Sequence, residues 1–96
     1  IHTGSYCEAT GVERERELQK IIEAARYGAE LGLEVHAGHG LSYETVKPIA
    51  ALPEIRELNI GHFLVGEAIF TGFAASIRQM RVLMDEARQN QNIETA

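Results

Sequence analysis

The sequence predicts an α/β chain of short parallel strands joined by crossover helices, and three observations carry that expectation. Short apolar runs bounded by glycine alternate with segments whose apolar residues recur at helical spacing. This strand-then-helix unit repeats along the 96 residues. The strand-like runs also end in a repeated pairing of histidine with glycine, at His2-Thr3-Gly4, Gly38-His39-Gly40 and Gly61-His62. Strands that alternate with helices imply parallel pairing and right-handed crossovers. Parallel strands need both faces covered, and two or three cannot achieve that alone. The natural completion is a TIM (β/α)8 barrel, of which residues 1–96 would be the C-terminal part of a single domain, its last two to three βα units. On the typical barrel length of about 250 residues that is roughly two-fifths. An open doubly wound sheet is the other architecture that fits the pattern.

The elements follow in order. Ile1-His2-Thr3-Gly4, with no methionine before it, reads as the end of a strand cut from something longer. Residues 5–11 are small and polar and are expected to form a loop. Residues 12–31 read as a helix, with Leu18, Ile21, Ile22, Ala25 and Ala29 on one apolar face. Its first turns are crowded with charge from Glu13 to Glu17, a solvated face, and Gly32 supplies a left-handed stop. Residues 33–37 alternate as a strand, Leu33, Val35 and Ala37 against Glu34 and His36.

Ser42 is a candidate N-cap for a short helix that uses Val46, Ile49 and Ala50, although Pro48 fits only near a helix start and argues for a later first turn. Pro53 ends that helix and residues 54–57 form a polar connection. Residues 58–60 read as the next strand, residues 63–70 as a short helix and residues 73–88 as a longer one. The longer helix carries Phe73, Ser76, Ile77, Met80, Met84 and Ala87 on one face, the methionines serving as core filler. Residues 89–96 are expected to be a flexible polar tail.

Composition excludes several classes of function. A formal net charge of −5 leaves no basic stripe, so nucleic acid is not an expected partner. No run approaches the length of a membrane span and no signal peptide is visible, so no membrane partner is expected and a cytoplasmic location is. Cys7 is a single cysteine, so an internal disulfide is impossible.

In a barrel of this kind, the C-terminal ends of the strands carry the chemistry. Glycine there lets backbone N–H groups approach a ligand, and histidine exchanges protons near neutral pH. His39, between two glycines, is the first candidate for catalysis. A short extra helix after Gly61-His62 matches the usual phosphate site of barrels, built from the last βα loops and a helix N-terminus. Gly40, Gly61 and His62 are the candidates for binding phosphate, and phosphorylated small molecules are the expected partners. His36, inside its strand, reads as structural with a polar partner, and His2 as a satisfied core histidine. Tyr43 and Glu44 read as surface or rim residues, and Cys7 has no base beside it in sequence. Three strand-end histidines raise the question of a zinc site. With no His-x-His strand signature and no carboxylate in the strand-end loops, no metal is expected.

Three segments together carry a resemblance: Ile1-His2-Thr3-Gly4, LEVHAGHGL over residues 33–41 and ELNIGH over residues 57–62. They resemble the closing segments of the pyridoxine 5′-phosphate synthase (PdxJ) family. The resemblance implies a phosphate-binding TIM barrel assembled as a homo-octamer, a transferase of vitamin B6 biosynthesis. Such an enzyme condenses 1-deoxy-D-xylulose 5-phosphate with 3-amino-2-oxopropyl phosphate to pyridoxine 5′-phosphate, inorganic phosphate and water, with no metal or organic cofactor. It implies that His39 donates a proton, that Gly40 contributes to substrate binding, and that Gly61 and His62 belong to the phosphate site. His36 stands where relatives are also expected to carry asparagine, which argues against an essential imidazole there. The family's catalytic glutamate and its other catalytic histidine fall on earlier strands, so the 96 residues alone are expected to be inactive. Another phosphate-binding barrel enzyme, such as a sugar-phosphate isomerase or aldolase, and a non-catalytic half-barrel piece are the alternatives.

Overall fold

The computed structural model describes the backbone of residues 1–95 and the side chains of residues 1–89. Its elements are α1 (Gly4–Glu8), α2 (Gly11–Glu30), β1 (Val35–Gly38), α3 (Val46–Ala50), β2 (Ile55–Asn59), α4 (His62–Thr71) and α5 (Phe73–Thr95). β1 and β2 pair in parallel, with a register shift between Val35 and His36. On the other edge of β1, His2 forms a parallel bridge with Gly38. The Ile1 nitrogen donates to the His36 carbonyl at 2.7 Å, Gly38 N–H to the Ile1 carbonyl at 3.0 Å and Thr3 N–H to the Gly38 carbonyl at 2.8 Å. Three consecutive strand ends therefore lie side by side, with helices on the connections between them.

The core forms on one face of this ladder. Val35 and Ala37 point into it and meet Tyr6, Ile21, Ala25, Leu41, Ile49 and Ile55. From the α2 stripe, Ile21 and Ala25 are buried, Leu18 packs at the core edge, and Ala29 stays exposed. Gly32 takes the left-handed φ of 81° expected of a helix stop. Leu33 lies ahead of the strand and is exposed, so the alternation holds only from Val35 onward. α5 packs on α3 and α4 through Ser76, Met80 and Ala87, all buried. The Arg88 guanidinium donates to the carbonyls of Ala50 and Ile55, which ties the end of α3 and the start of β2 to α5.

Four expectations need correction. Residues 5–11 are not wholly a loop, because α1 covers Gly4–Glu8. Its small polar composition hides Tyr6, which is buried and donates its hydroxyl to the Thr45 carbonyl at 2.9 Å. The third strand runs from Ile55 to Asn59, not from 58 to 60. Arg56 and Glu57 belong to it although they are charged: Arg56 falls at the register shift and Glu57 lies opposite His36. Ser42 is not the cap of α3: Thr45 holds that position, and its hydroxyl accepts from Ser42 N–H at 2.9 Å. Pro48 accordingly sits in the first turn, where its missing N–H costs nothing. Finally, α5 continues past Arg88 to Thr95, over residues that include no glycine or proline to stop it.

Burial raises the pKa of the Tyr6 hydroxyl above 10.0, and the nearby Arg14 guanidinium only partly offsets that. A phenol whose folded pKa exceeds its unfolded one stabilises the fold fully below the unfolded value and loses that contribution as pH rises through it. Unfolding midpoints in urea should therefore fall above a pH of 10.0 in a full-length protein carrying these residues. Tyr6→Phe should flatten that alkaline loss and cost about 1–3 kcal/mol at neutral pH, because the Thr45 carbonyl is left unpaired.

Candidate functional site

The ladder sets the chain segments after His2, β1 and β2 at one end of the sheet. His39 follows β1 at once and takes a φ of 90°, a left-handed conformation for a residue that is not glycine. Such a conformation costs roughly 1–3 kcal/mol and persists only where surrounding contacts enforce it. Here the enforcing contact is Thr3, fully buried, whose hydroxyl donates to the His39 carbonyl at 2.7 Å. The Cys7 thiol approaches the same carbonyl at 3.8 Å. Gly40 continues the turn at a φ of 81°, and a Cβ there would lie 3.2 Å from the Cys7 Cβ.

The side chain of His39 is exposed and stacks on His2, with ring centroids 4.2 Å apart and planes at 26°. Gly4 makes room for both rings: an added Cβ would fall 2.6 Å from His2 Cε1 and 3.0 Å from His39 Cδ2. His2 is thus exposed at the site rather than a core histidine. His36 does have polar partners, since its Nδ1 lies 3.3 Å from Glu57 and its Nε2 lies 3.2 Å from Glu34. The Glu34 approach is close but misdirected, and Nε2 has no hydrogen-bond partner.

After β2, Gly61 caps α4 with no side-chain hydrogen bond to the first turn. Val65 N–H reaches back to the Gly61 carbonyl at 3.0 Å. The N–H groups of His62, Phe63 and Leu64 precede the first intrahelical bond and stay available, at the positive end of the helix dipole. Tyr43 fixes this helix start: its ring meets Phe63 edge-on at 4.6 Å, and its hydroxyl donates to the Ser76 carbonyl at 3.2 Å.

The two turns face each other across a cleft of about 520 Å³. His39 and Gly40 line one side, Gly61 and His62 the other, with Asn59 and Phe63 between them. All four candidates from the sequence thus share one cavity, and among the described residues no carboxylate lines it. Such a pocket suits an anion, with helix N–H groups as donors and an imidazole as proton source. Among the described residues, no three His, Cys, Asp or Glu side chains converge as metal ligands would. A smaller hollow of about 240 Å³ lies at the opposite strand ends, beside Arg56, Arg81 and Arg88. Arg81 pairs there with Asp85 at 3.1 Å and Arg88 is bound to backbone carbonyls.

Sequence reasoning missed Thr3, Tyr43 and Asn59. Thr3 sits in the His2-Thr3-Gly4 strand end, so its place was visible but its contact with His39 was not. Asn59 is a polar residue at the end of a strand, a signal that could have been used. Tyr43 was placed on the rim, and nothing in the sequence connects it to Phe63 or Ser76.

The sequence model of the family described as "Pyridoxal phosphate biosynthesis protein PdxJ" matches residues 1–86. The chain is 58% identical over 92 residues to pyridoxine 5′-phosphate synthase of Ruegeria pomeroyi, covering 92% of this chain and 37% of that protein. It is 59% identical over 88 residues to the synthase of Rhodospirillum rubrum, covering 91% of this chain and 35% of the relative. Against the synthase of Zymomonas mobilis it is 56% identical over 94 residues, covering 98% of this chain and 37% of the relative. The chain therefore spans a little over one third of the length of these relatives, and with the family model matching almost all of it, it belongs to the PdxJ family.

Proposed function

We propose that these residues serve the synthesis of pyridoxine 5′-phosphate from 1-deoxy-D-xylulose 5-phosphate and 3-amino-2-oxopropyl phosphate. The observation that carries the proposal is the shared cleft, in which His39 and Gly40 face Gly61 and His62 at the start of α4. The relatives named above are pyridoxine 5′-phosphate synthases. Both substrates carry a phosphate, and the uncapped first turn of α4 offers the donors and dipole that hold a dianion. Gly40 adds backbone close to the ligand, and His62 stands beside the helix start.

With the phosphate anchored there, His39 is the proton donor. Schiff-base formation between the amine and the sugar ketone, and the later losses of phosphate and water, each break a C–O bond, and a proton delivered to the departing oxygen assists each. An exposed imidazole at the cleft mouth, on a backbone held by Thr3, meets that need. The scheme calls for no metal or organic cofactor. The parallel ladder supports a TIM-barrel setting, because parallel strands joined by crossover helices are characteristic of larger sheets and barrels, and β1 and β2 are only two such strands. In that setting the residues form the C-terminal part of the barrel, in a cytoplasmic homo-octamer.

Two measurements test this in a full-length protein carrying the segment. His39→Gln should lower turnover by about 10²- to 10⁴-fold while the protein still binds phosphate. Near-normal turnover would remove the proton-donor role. A crystal grown with phosphate should show the anion against Gly40, Gly61 and His62. Side chains blocking that volume, or an anion bound only elsewhere, would sink the phosphate assignment.

A further inference from the structure

We propose that His2 is a positioning residue that holds the His39 imidazole in the orientation from which it delivers its proton. The inference rests on the reading of His39 as the proton donor and assigns a role to a residue that reading leaves unused.

Four observations converge on it. The two rings stack at 4.2 Å, so a single face of His39 is covered and its rotation is restricted. The Gly4 N–H lies 3.2 Å from His2 Nδ1, and a backbone N–H can only donate, so Nδ1 is the acceptor. A neutral His2 therefore carries its proton on Nε2, and its ring plane is fixed from its own strand end. Gly4 lacks the Cβ that would strike both rings, which keeps the stack possible. Thr3, the next residue, binds the His39 carbonyl at 2.7 Å. Two consecutive residues of one strand end thus clamp both the backbone and the side chain of one residue on the next.

The consequence is chemical. A solvent-exposed imidazole otherwise samples several rotamers, and a proton donor is productive in few of them. Stacking selects among them without using either nitrogen of His39, so both stay available to substrate and solvent.

The experiment compares His2→Ala with His2→Phe in a full-length protein carrying the segment, using steady-state kinetics and imidazole NMR. His2→Ala should reduce kcat about ten- to hundredfold with KM for both phosphorylated substrates nearly unchanged. His2→Phe restores a flat ring and should recover most of the loss. In the spectra, His39 ring protons should lose their ring-current shift in His2→Ala and regain one in His2→Phe. Unchanged His39 signals in His2→Ala, or kcat within about twofold of the parent, would overturn the proposal. So would a folded His2→Phe no better than His2→Ala. If the parent fails to condense the two substrates, the functional reading falls, and the NMR comparison still decides whether His2 orients His39.

Discussion

The parallel backbone ladder that joins the strand end at His2 to β1, and β1 to β2, is the constraint on which the rest depends. Its bonds at Ile1, Thr3 and Gly38 fix the relative height of the first two strand ends. The β1–β2 register, with Gly38 opposite Asn59, does the same for the second and third. Because the strands run the same way, their C-terminal ends emerge together. Residues far apart in sequence, such as His2, His39 and His62, are thereby brought to one edge. A slip of one residue in either pairing would turn the side chains to the other face and separate the site.

The two ends of this small sheet are held together by different contacts. At the start of β2, Arg88 satisfies the carbonyls of Ala50 and Ile55, and Val35, Ile49 and Ile55 bury their bulk nearby. At the other end, hydrogen bonds hold an uncommon backbone geometry. The left-handed conformation at His39 would relax if the buried Thr3 hydroxyl did not bind its carbonyl. The strain at His39 is thereby offset by burial and pairing of Thr3.

α4 shows a different balance. It has no buried residue, and Ile69 and Phe70 are 80% and 84% exposed. Its place comes from α5, from the edge-on contact of Phe63 with Tyr43, and from the Ser76 hydroxyl that approaches the Leu64 carbonyl at 3.4 Å. The helix that offers its N-terminus to the cleft is thus positioned mainly from one side. Tyr43 touches both helices, through its ring against Phe63 of α4 and its hydroxyl to the Ser76 carbonyl of α5.

Local pattern was enough to read much of this from the sequence. The helical stripe through Ile21 and Ala25, the glycine stop at Gly32, the buried alternation of Val35 and Ala37, and the histidine–glycine strand ends all rest on spacing of a few residues. The AGHG and NIGH strings identified His39, Gly40, Gly61 and His62, and the resemblance they carry agrees with the family to which the chain belongs. What the sequence did not reveal depends on contacts across the chain. Tyr6 anchors α1 by reaching Thr45, 39 residues away. Glu57 joins a strand because its neighbour in space is His36 of β1. The stack of His2 on His39, and the Thr3 bond beneath it, arise only when two strand ends are brought level. Periodicity and turn chemistry are local and therefore legible, whereas register and the meeting of side chains 36 or 37 residues apart are decided by the packing of the ladder.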